Sequence, residues 1–391
     1  MSLTIKHLND DTTFFLVFTP LGQPVPPNAR DYPPGTFTVL IDPWLDGTVS
    51  MWHRKFLLSR HSKPCSIQHL SEIPEPNVVL VTQDKPDHCH EETLRHLDPL
   101  SPVTMVLAEK AAAKRIRGFG HFDPQMVHDL RPFSRKDGET IIRFCIPAIV
   151  PDGIPGEATI AFIPSKMDVA GVHNAVGITY RAPSTTAGLD RPASRGAPVS
   201  FRQSHGFSHS IGRRPLTPPE SPGNSASSQS SSARGSEPES TFSLPSHTRS
   251  MSSTSSLSSI PSIPQTQKSL SVIYSPHGIS YSNIRPYASS HLVANAALPL
   301  TALLHCFDHI YNPWWMGGNV AAGMTAGSEI ARSLMARSWI SAHDEEKETS
   351  GVSIKNSKIT KYTVEEVLEK MTGSGTRVMS LGVGEELTMK V

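Results

Sequence analysis

Charge of one sign is the first thing this chain lacks. Its 36 Lys and Arg stand against 35 Asp and Glu, for a net charge of +1. That excludes electrostatic capture of nucleic acid or of an anionic membrane surface as its main business. Long hydrophobic runs are missing as well. The longest apolar stretch, from Val293 to Cys306, is short and is interrupted by Asn295 and Pro299, so no membrane span is expected. The first residues, Met-Ser-Leu-Thr-Ile-Lys-His, have neither the apolar core nor the cleavage site of a secretory leader. Cysteine is scarce: Cys65, Cys89, Cys145 and Cys306 are scattered, with no CxxC pair. A disulfide framework is not expected, and a reducing, cytoplasmic setting is.

Two residue types are abundant. Many of the 34 prolines fall in one region, and several of the 18 histidines sit beside acidic residues just after apolar runs. Histidines and carboxylates at strand ends are what a metal site held by a rigid sheet requires.

The first part of the chain alternates short apolar runs with turn signals. Thr13 to Phe18, Phe37 to Ile41 and Val103 to Leu107 read as strands. The continuous apolar run Asn77 to Thr82 reads as a strand buried on both faces. Helices are expected at His90 to Leu97 and Lys110 to Arg117, then strands at Thr140 to Cys145, Ala158 to Ile163 and Val176 to Tyr180. From about Ala182 to Gln267 the composition turns to Ser, Pro, Thr and Gly. Between Ser221 and Ile260, 18 of 40 residues are serine, too few apolar groups to offset the entropy of ordering, so disorder is expected. Thr217-Pro218 and Ser221-Pro222 in this stretch fit proline-directed phosphorylation, although a plain unregulated linker is the more ordinary reading. The insertion is where a kinase or protein partner would act. Order resumes with strands at Ser271 to Tyr274, Leu300 to His305, Trp339 to Ser341 and Arg377 to Leu381. Helices are expected at Val320 to Met335 and Val364 to Met371. Both flanks are α/β, and the simplest organisation is one domain built from residues 1–181 and 269–391, interrupted by a disordered insertion at 182–268.

The chemistry-bearing segment is Val81-Thr82-Gln83-Asp84-Lys85-Pro86-Asp87-His88-Cys89-His90, between a buried strand and a helix. Adjacent Asp87 and His88 at a rigid strand end offer an oxygen and a nitrogen to one ion. Taken alone, such a pair is more ordinarily an aspartate cap on the following helix beside a surface histidine. Two further strand ends carry the same residue types: Val272-Ile273-Tyr274-Ser275-Pro276-His277-Gly278 and Trp339-Ile340-Ser341-Ala342-His343-Asp344. Trp314 and Trp315 read as interior packing.

With Ile41-Asp42-Pro43-Trp44-Leu45 and Asn312-Pro313-Trp314-Trp315-Met316-Gly317-Gly318, these segments resemble the metallo-β-lactamase fold superfamily. The resemblance is nearest to its branch of bacterial ascorbate-phosphate lactonases and relatives. It spans nearly the whole chain outside the Ser/Pro stretch. It implies an αββα sandwich with metal at the sandwich edge, held by an HxHxDH motif. The first two histidines of that motif are Gln83 and Lys85 here, while Asp87 and His88 match. His343 matches the late ligand, and His277 falls at the bridging-aspartate position. The middle histidine of the first site is absent from Ile163 to Gly171, with His173 close but offset.

The resemblance therefore implies a site with one metal, zinc for preference, held by Asp87, His88 and His343, with His277 as a fourth ligand or general base. Lys85 would place an ammonium where the other ion would sit, there to repel a second cation or, turned inward, to steady an oxyanion. The expected activity is metal-dependent hydrolysis of a small ester, lactone or phosphate-containing molecule. The competing expectation is a metal-free scaffold whose insertion serves regulation or partner binding.

Overall fold

The computed structural model describes residues 1–20, 32–51, 57–166, 168, 171–187, 268–351 and 357–391. Most of the Ser/Pro insertion, with its expected disorder and its phosphorylation sites, lies outside the described residues. Its first residues depart from the expectation: Ala182 is buried in the core, and Ser184–Ala187 is a strand paired with Gly153–Ile154. Met1–Gln203 and Thr266–Val391 belong to one compact unit.

Two seven-stranded sheets form its centre. The first runs in the order Glu386–Lys390, Ser2–His7, Phe14–Thr19, Phe37–Ile41, Val78–Val81, Met105–Ala108, Val127–Asp129. It is antiparallel as far as Phe37–Ile41 and parallel beyond. The second runs Arg377–Met379, Ser338–Ile340, Ala302–His305, Leu270–Ser275, Asn174–Arg181, Gly156–Pro164, Ile141–Ile146. Its first four strands are parallel and the rest antiparallel. Asn174–Arg181 pairs directly with Leu270–Ser275, so the strands that flank the insertion are neighbours in one sheet.

Three apolar clusters set the layers. One holds Leu3, Phe14, Leu16, Val39 and Leu80 of the first sheet against Ile160, Ile178, Val272, Tyr274 and Leu304 of the second, so the sheets pack face to face. A second cluster covers the outer face of the first sheet with Leu94 and with Ala112, Ala113 and Ile116 of helix Lys110–Gly118. The third covers the outer face of the second sheet with Ile284 and Tyr287 of helix Tyr281–Tyr287, Ile330 and Ala331 of helix Gly323–Ser333, and Val367 of helix Val364–Lys370. The result is the expected αββα sandwich. Burial of both sheet faces explains the continuous apolar runs, such as Val78–Val81, whose four residues are all buried.

Several elements differ from the sequence reading. The helix at His90 to Leu97 shrinks to Glu91–Leu94, with the His90 side chain accepting from the Thr93 amide as its cap. Asn319–Ala322 is a strand rather than the first turn of a helix, and the helix starts at Gly323. Gly323 stands at φ +60°, where a Cβ would lie 2.8 Å from the Asp308 carbonyl oxygen. The strands Ser2–His7 and Glu386–Lys390 were not expected, although the first alternates inward and outward residues along its length. No helix of the described residues is long and apolar enough to cross a membrane.

Candidate metal centre

The loops that leave four strands meet at one rim of the sandwich. Asp42 follows Phe37–Ile41, and Asp87 and His88 follow Val78–Val81. His277 follows Leu270–Ser275, and His343 follows Ser338–Ile340. Asp11 joins them from the hairpin between Ser2–His7 and Phe14–Thr19. Asp42 and His343 both sit at positive φ, +43° and +69°. Non-glycine residues rarely adopt that backbone, and they keep it where the surroundings hold them in a functional pose. Gly278, at φ +74°, turns the chain just past His277. A Cβ there would stand 2.6 Å from His305 Nε2, so the turn that aims His277 needs glycine.

The imidazoles of His88, His277 and His343 offer nitrogens that all lie within 4.8 Å of one another. Bonds of about 2.1 Å at tetrahedral angles put ligand atoms roughly 3.4 Å apart, so the cluster is close to a coordination shell already. Their hydrogen bonds show which nitrogen faces inward. His88 donates from Nδ1 to Asp42 Oδ2 at 2.8 Å. His277 donates from Nδ1 to the Val320 carbonyl at 2.9 Å, and His343 from Nδ1 to Asp11 Oδ1 at 2.8 Å. Each ring thus carries its proton on Nδ1 and leaves Nε2 to meet a cation or a second proton. The Nε2 atoms of His88 and His277 face each other at 3.2 Å. Two lone pairs do not bond; a shared proton or a cation must join them. Asp87 Oδ1 is buried beside them without a hydrogen-bond partner, an acceptor that also needs a cation or donor. The donor set that comes together is three imidazoles, which suits a borderline transition metal.

The supporting groups are buried too. Asp42 is fully buried and accepts from the Thr82 amide at 2.7 Å, the Thr82 hydroxyl at 2.6 Å and the Tyr274 hydroxyl at 2.8 Å, besides His88. Lys347 places Nζ 2.7 Å from Asp11 Oδ2 and 3.6 Å from Asp87 Oδ2. Burial opposes charge on His88, but the Asp42 and Asp87 carboxylates outweigh it and hold its pKa above the ordinary value. Burial drives His277 well below the ordinary histidine range, reinforced by His343 and His88. Burial likewise lowers His343, although Asp11 pulls the other way. For Asp11, burial is overcome by His343 and Lys347, and its carboxyl titrates well below its usual range.

The structure thus brings His88, His277 and His343 together; Asp87 lies outside that group, within Coulomb reach of His88 and His343. It sends Lys85 elsewhere: its ammonium pairs with Asp84 Oδ1 at 2.6 Å. The cation at the cluster is Lys347, which the sequence reading missed. Asp11 was missed as well, and Asp42 was noted only within its motif. No local signal marked Lys347: residues 343–347 form no helix, so a spacing of four from His343 puts the two side chains on no common face. Asp344, the neighbour of His343, turns away to accept from the Phe307 and Asp308 amides at 2.6 and 3.0 Å. His173 bridges the Gly278 and Asn319 carbonyls at 2.7 and 2.9 Å and ties down the loop that carries His277. Trp314 and Trp315 are not interior packing: they are 81% and 61% exposed, at the turn that joins strands His309–Tyr311 and Asn319–Ala322.

No family model and no curated protein matches the sequence. Solved structures do. A metallo hydrolase, Igni18, from the archaeon Ignicoccus hospitalis is similar at 10% identity and TM-score 0.44, over 100% of both chains. CmlA, a diiron β-hydroxylase from Streptomyces venezuelae, is similar at 12% identity and TM-score 0.45, over 100% of this chain and 54% of its own. The metallo-beta-lactamase fold protein YhfI from Bacillus subtilis is similar at 9% identity and TM-score 0.41, over 100% of both chains. At these values they assign no role to any residue, and the site is read from its own geometry.

Proposed function

We propose that this chain is a metal-dependent hydrolase of the metallo-β-lactamase kind, working with a single ion, zinc for preference. The observation that carries the reading is the convergence of His88, His277 and His343 within 4.8 Å, each imidazole fixed through Nδ1 by Asp42, the Val320 carbonyl or Asp11. Those residues and Asp87 would hold the ion. When bound, such an ion supplies Lewis acidity, lowering the pKa of a water and polarising an acyl or phosphoryl oxygen. The protein's share is orientation: Asp42 locks the His88 ring, Asp11 locks His343, and the Gly278 turn aims His277.

Stoichiometry follows from the other half of the motif. Gln83 donates its amide to the Val172 carbonyl and Asn174 donates to the Thr82 carbonyl, both at 3.1 Å. These neutral amides tie together loops where a first metal would need imidazoles, which supports one ion rather than two. The substrate class we infer is a small ester, lactone or phosphate-containing molecule. The likeness to ascorbate-phosphate lactonases makes lactones the first to try.

Replacing Asp87 by Ala tests the reading. Metal content measured on protein purified without added metal should fall from about one equivalent to near zero, with the fold retained, because strand packing rather than metal holds a core of this size. Hydrolysis across a panel of lactones, esters and phosphodiesters should fall with it. A wild-type protein that binds no metal and cleaves nothing in the panel would leave the scaffold reading in its place.

A further inference from the structure

The rim gathers three buried carboxylates, Asp11, Asp42 and Asp87, all within 5% exposure. Against them stands one fixed cation. Lys347 Nζ is 2.7 Å from Asp11 Oδ2, 3.6 Å from Asp87 Oδ2, 3.4 Å from His343 Nδ1 and 5.4 Å from the centre of the Trp44 ring, with its side chain 12% exposed. The neighbouring Glu345 does not alter this count. Its carboxylate faces partners of its own, the His61 Nδ1 at 2.6 Å and the Ser62 amide at 2.8 Å, rather than the three aspartates. Three carboxylates and one ammonium leave a deficit of two positive charges, the charge of one divalent ion. Uncompensated charge in a buried site is costly, so this composition favours one dication and resists a second.

We propose that Lys347 sets the metal affinity and stoichiometry of this centre, its ammonium standing as the second positive charge beside a single divalent ion. This rests on the single-ion reading above. It assigns Lys347 a positioning and charge-tuning role that an ordinary structural ion pair would not have, and the two differ in sign. A structural lysine, once removed, leaves a looser site that binds metal more weakly. A lysine that stands in for a cation leaves a deficit of three, and the site binds a dication more tightly. A unit charge several ångströms away in a partly buried setting makes this about tenfold or more.

The experiment titrates full-length protein with Zn²⁺ against a competing chelator and with Co²⁺ by its visible absorption. It compares wild type with Lys347→Met, Lys347→Arg, Asp11→Asn and the double variant Asp11→Asn/Lys347→Met. Asparagine keeps an oxygen for His343 Nδ1 while removing the charge. The expected order of affinity is Lys347→Met above wild type by about tenfold. Lys347→Arg and the double variant should lie near wild type, and Asp11→Asn below it. If Lys347→Met does not fold, the double variant and Asp11→Asn still carry the comparison. Metal binding with Lys347→Met no tighter than wild type, or with the double variant no tighter than Asp11→Asn, overturns the proposal. No Zn²⁺ or Co²⁺ binding by any of the proteins takes down the single-ion reading itself.

Discussion

At the scale of single residues, the imidazoles are oriented by what lies behind them. His88 owes its tautomer to Asp42, and that carboxylate is held in turn by both Thr82 donors and the Tyr274 hydroxyl. Replacing Asp42 by Asn keeps the shape and removes the charge. The amide nitrogen then competes for the place where donors converge, and His88 loses its fixed proton. Metal affinity should fall by 10- to 100-fold, the usual size of such an outer-shell loss, while the urea midpoint moves much less. Competition with a chelator measures the first and denaturant titration the second. Unchanged affinity in Asp42→Asn would mean that His88 does not bind metal through Nε2.

At the scale of elements, the outer helices are docked by close contacts that leave no slack. A Cβ on Gly327 would stand 2.1 Å from the Trp339 ring, so helix Gly323–Ser333 lies almost against its sheet. His291 docks the segment Ala288–Leu292 onto the same sheet: its Nε2 is 2.8 Å from the Thr159 hydroxyl, which is 2.6 Å from that of Thr179. Burial, helped by Arg143, lowers the His291 pKa from 6.5 to about 4. The folded state therefore binds this proton less readily than the unfolded chain. The stability held by neutral His291 is complete above pH 6.5 and is lost as pH falls toward 4, with a slope of up to about 1.4 kcal/mol per pH unit. Denaturant midpoints of wild type and His291→Gln between pH 7 and pH 4.5 should show a shallower decline in the variant. Parallel declines would show that the docking contact does not titrate.

At the scale of the whole molecule, the pairing of Asn174–Arg181 with Leu270–Ser275 joins the two flanks of the insertion into one sheet. The chain ends join as well, through Ser2–His7 against Glu386–Lys390. We therefore expect a protease cut between residues 188 and 265 to leave two fragments that elute together without denaturant and retain the metal. Fragments that separate on a sizing column would contradict a shared core and argue for two domains.

The sequence by itself determined the local parts. Continuous apolar runs such as Val78–Val81 announced strands buried on both faces, whereas the composition shift near Ala182 gave no sign that Ser184–Ala187 pairs with Gly153–Ile154. Histidines placed just after strands pointed to His88, His277 and His343. These signals are legible because each depends on residues a few positions apart. The alternation at Ser2–His7 was equally local and was overlooked, whereas its edge partner Glu386–Lys390 is specified by pairing across nearly the full length of the chain. Only the tertiary structure decided which cation stands at the centre, because nothing near Lys85 or Lys347 in sequence records that one turns to Asp84 and the other to Asp11. It alone also decided that Asp42 and Asp11 stand behind two of the imidazoles and that Trp314 and Trp315 face solvent. Coulombic and hydrogen-bonded partners are chosen by distance in space, and here that distance is set by the packing of two sheets.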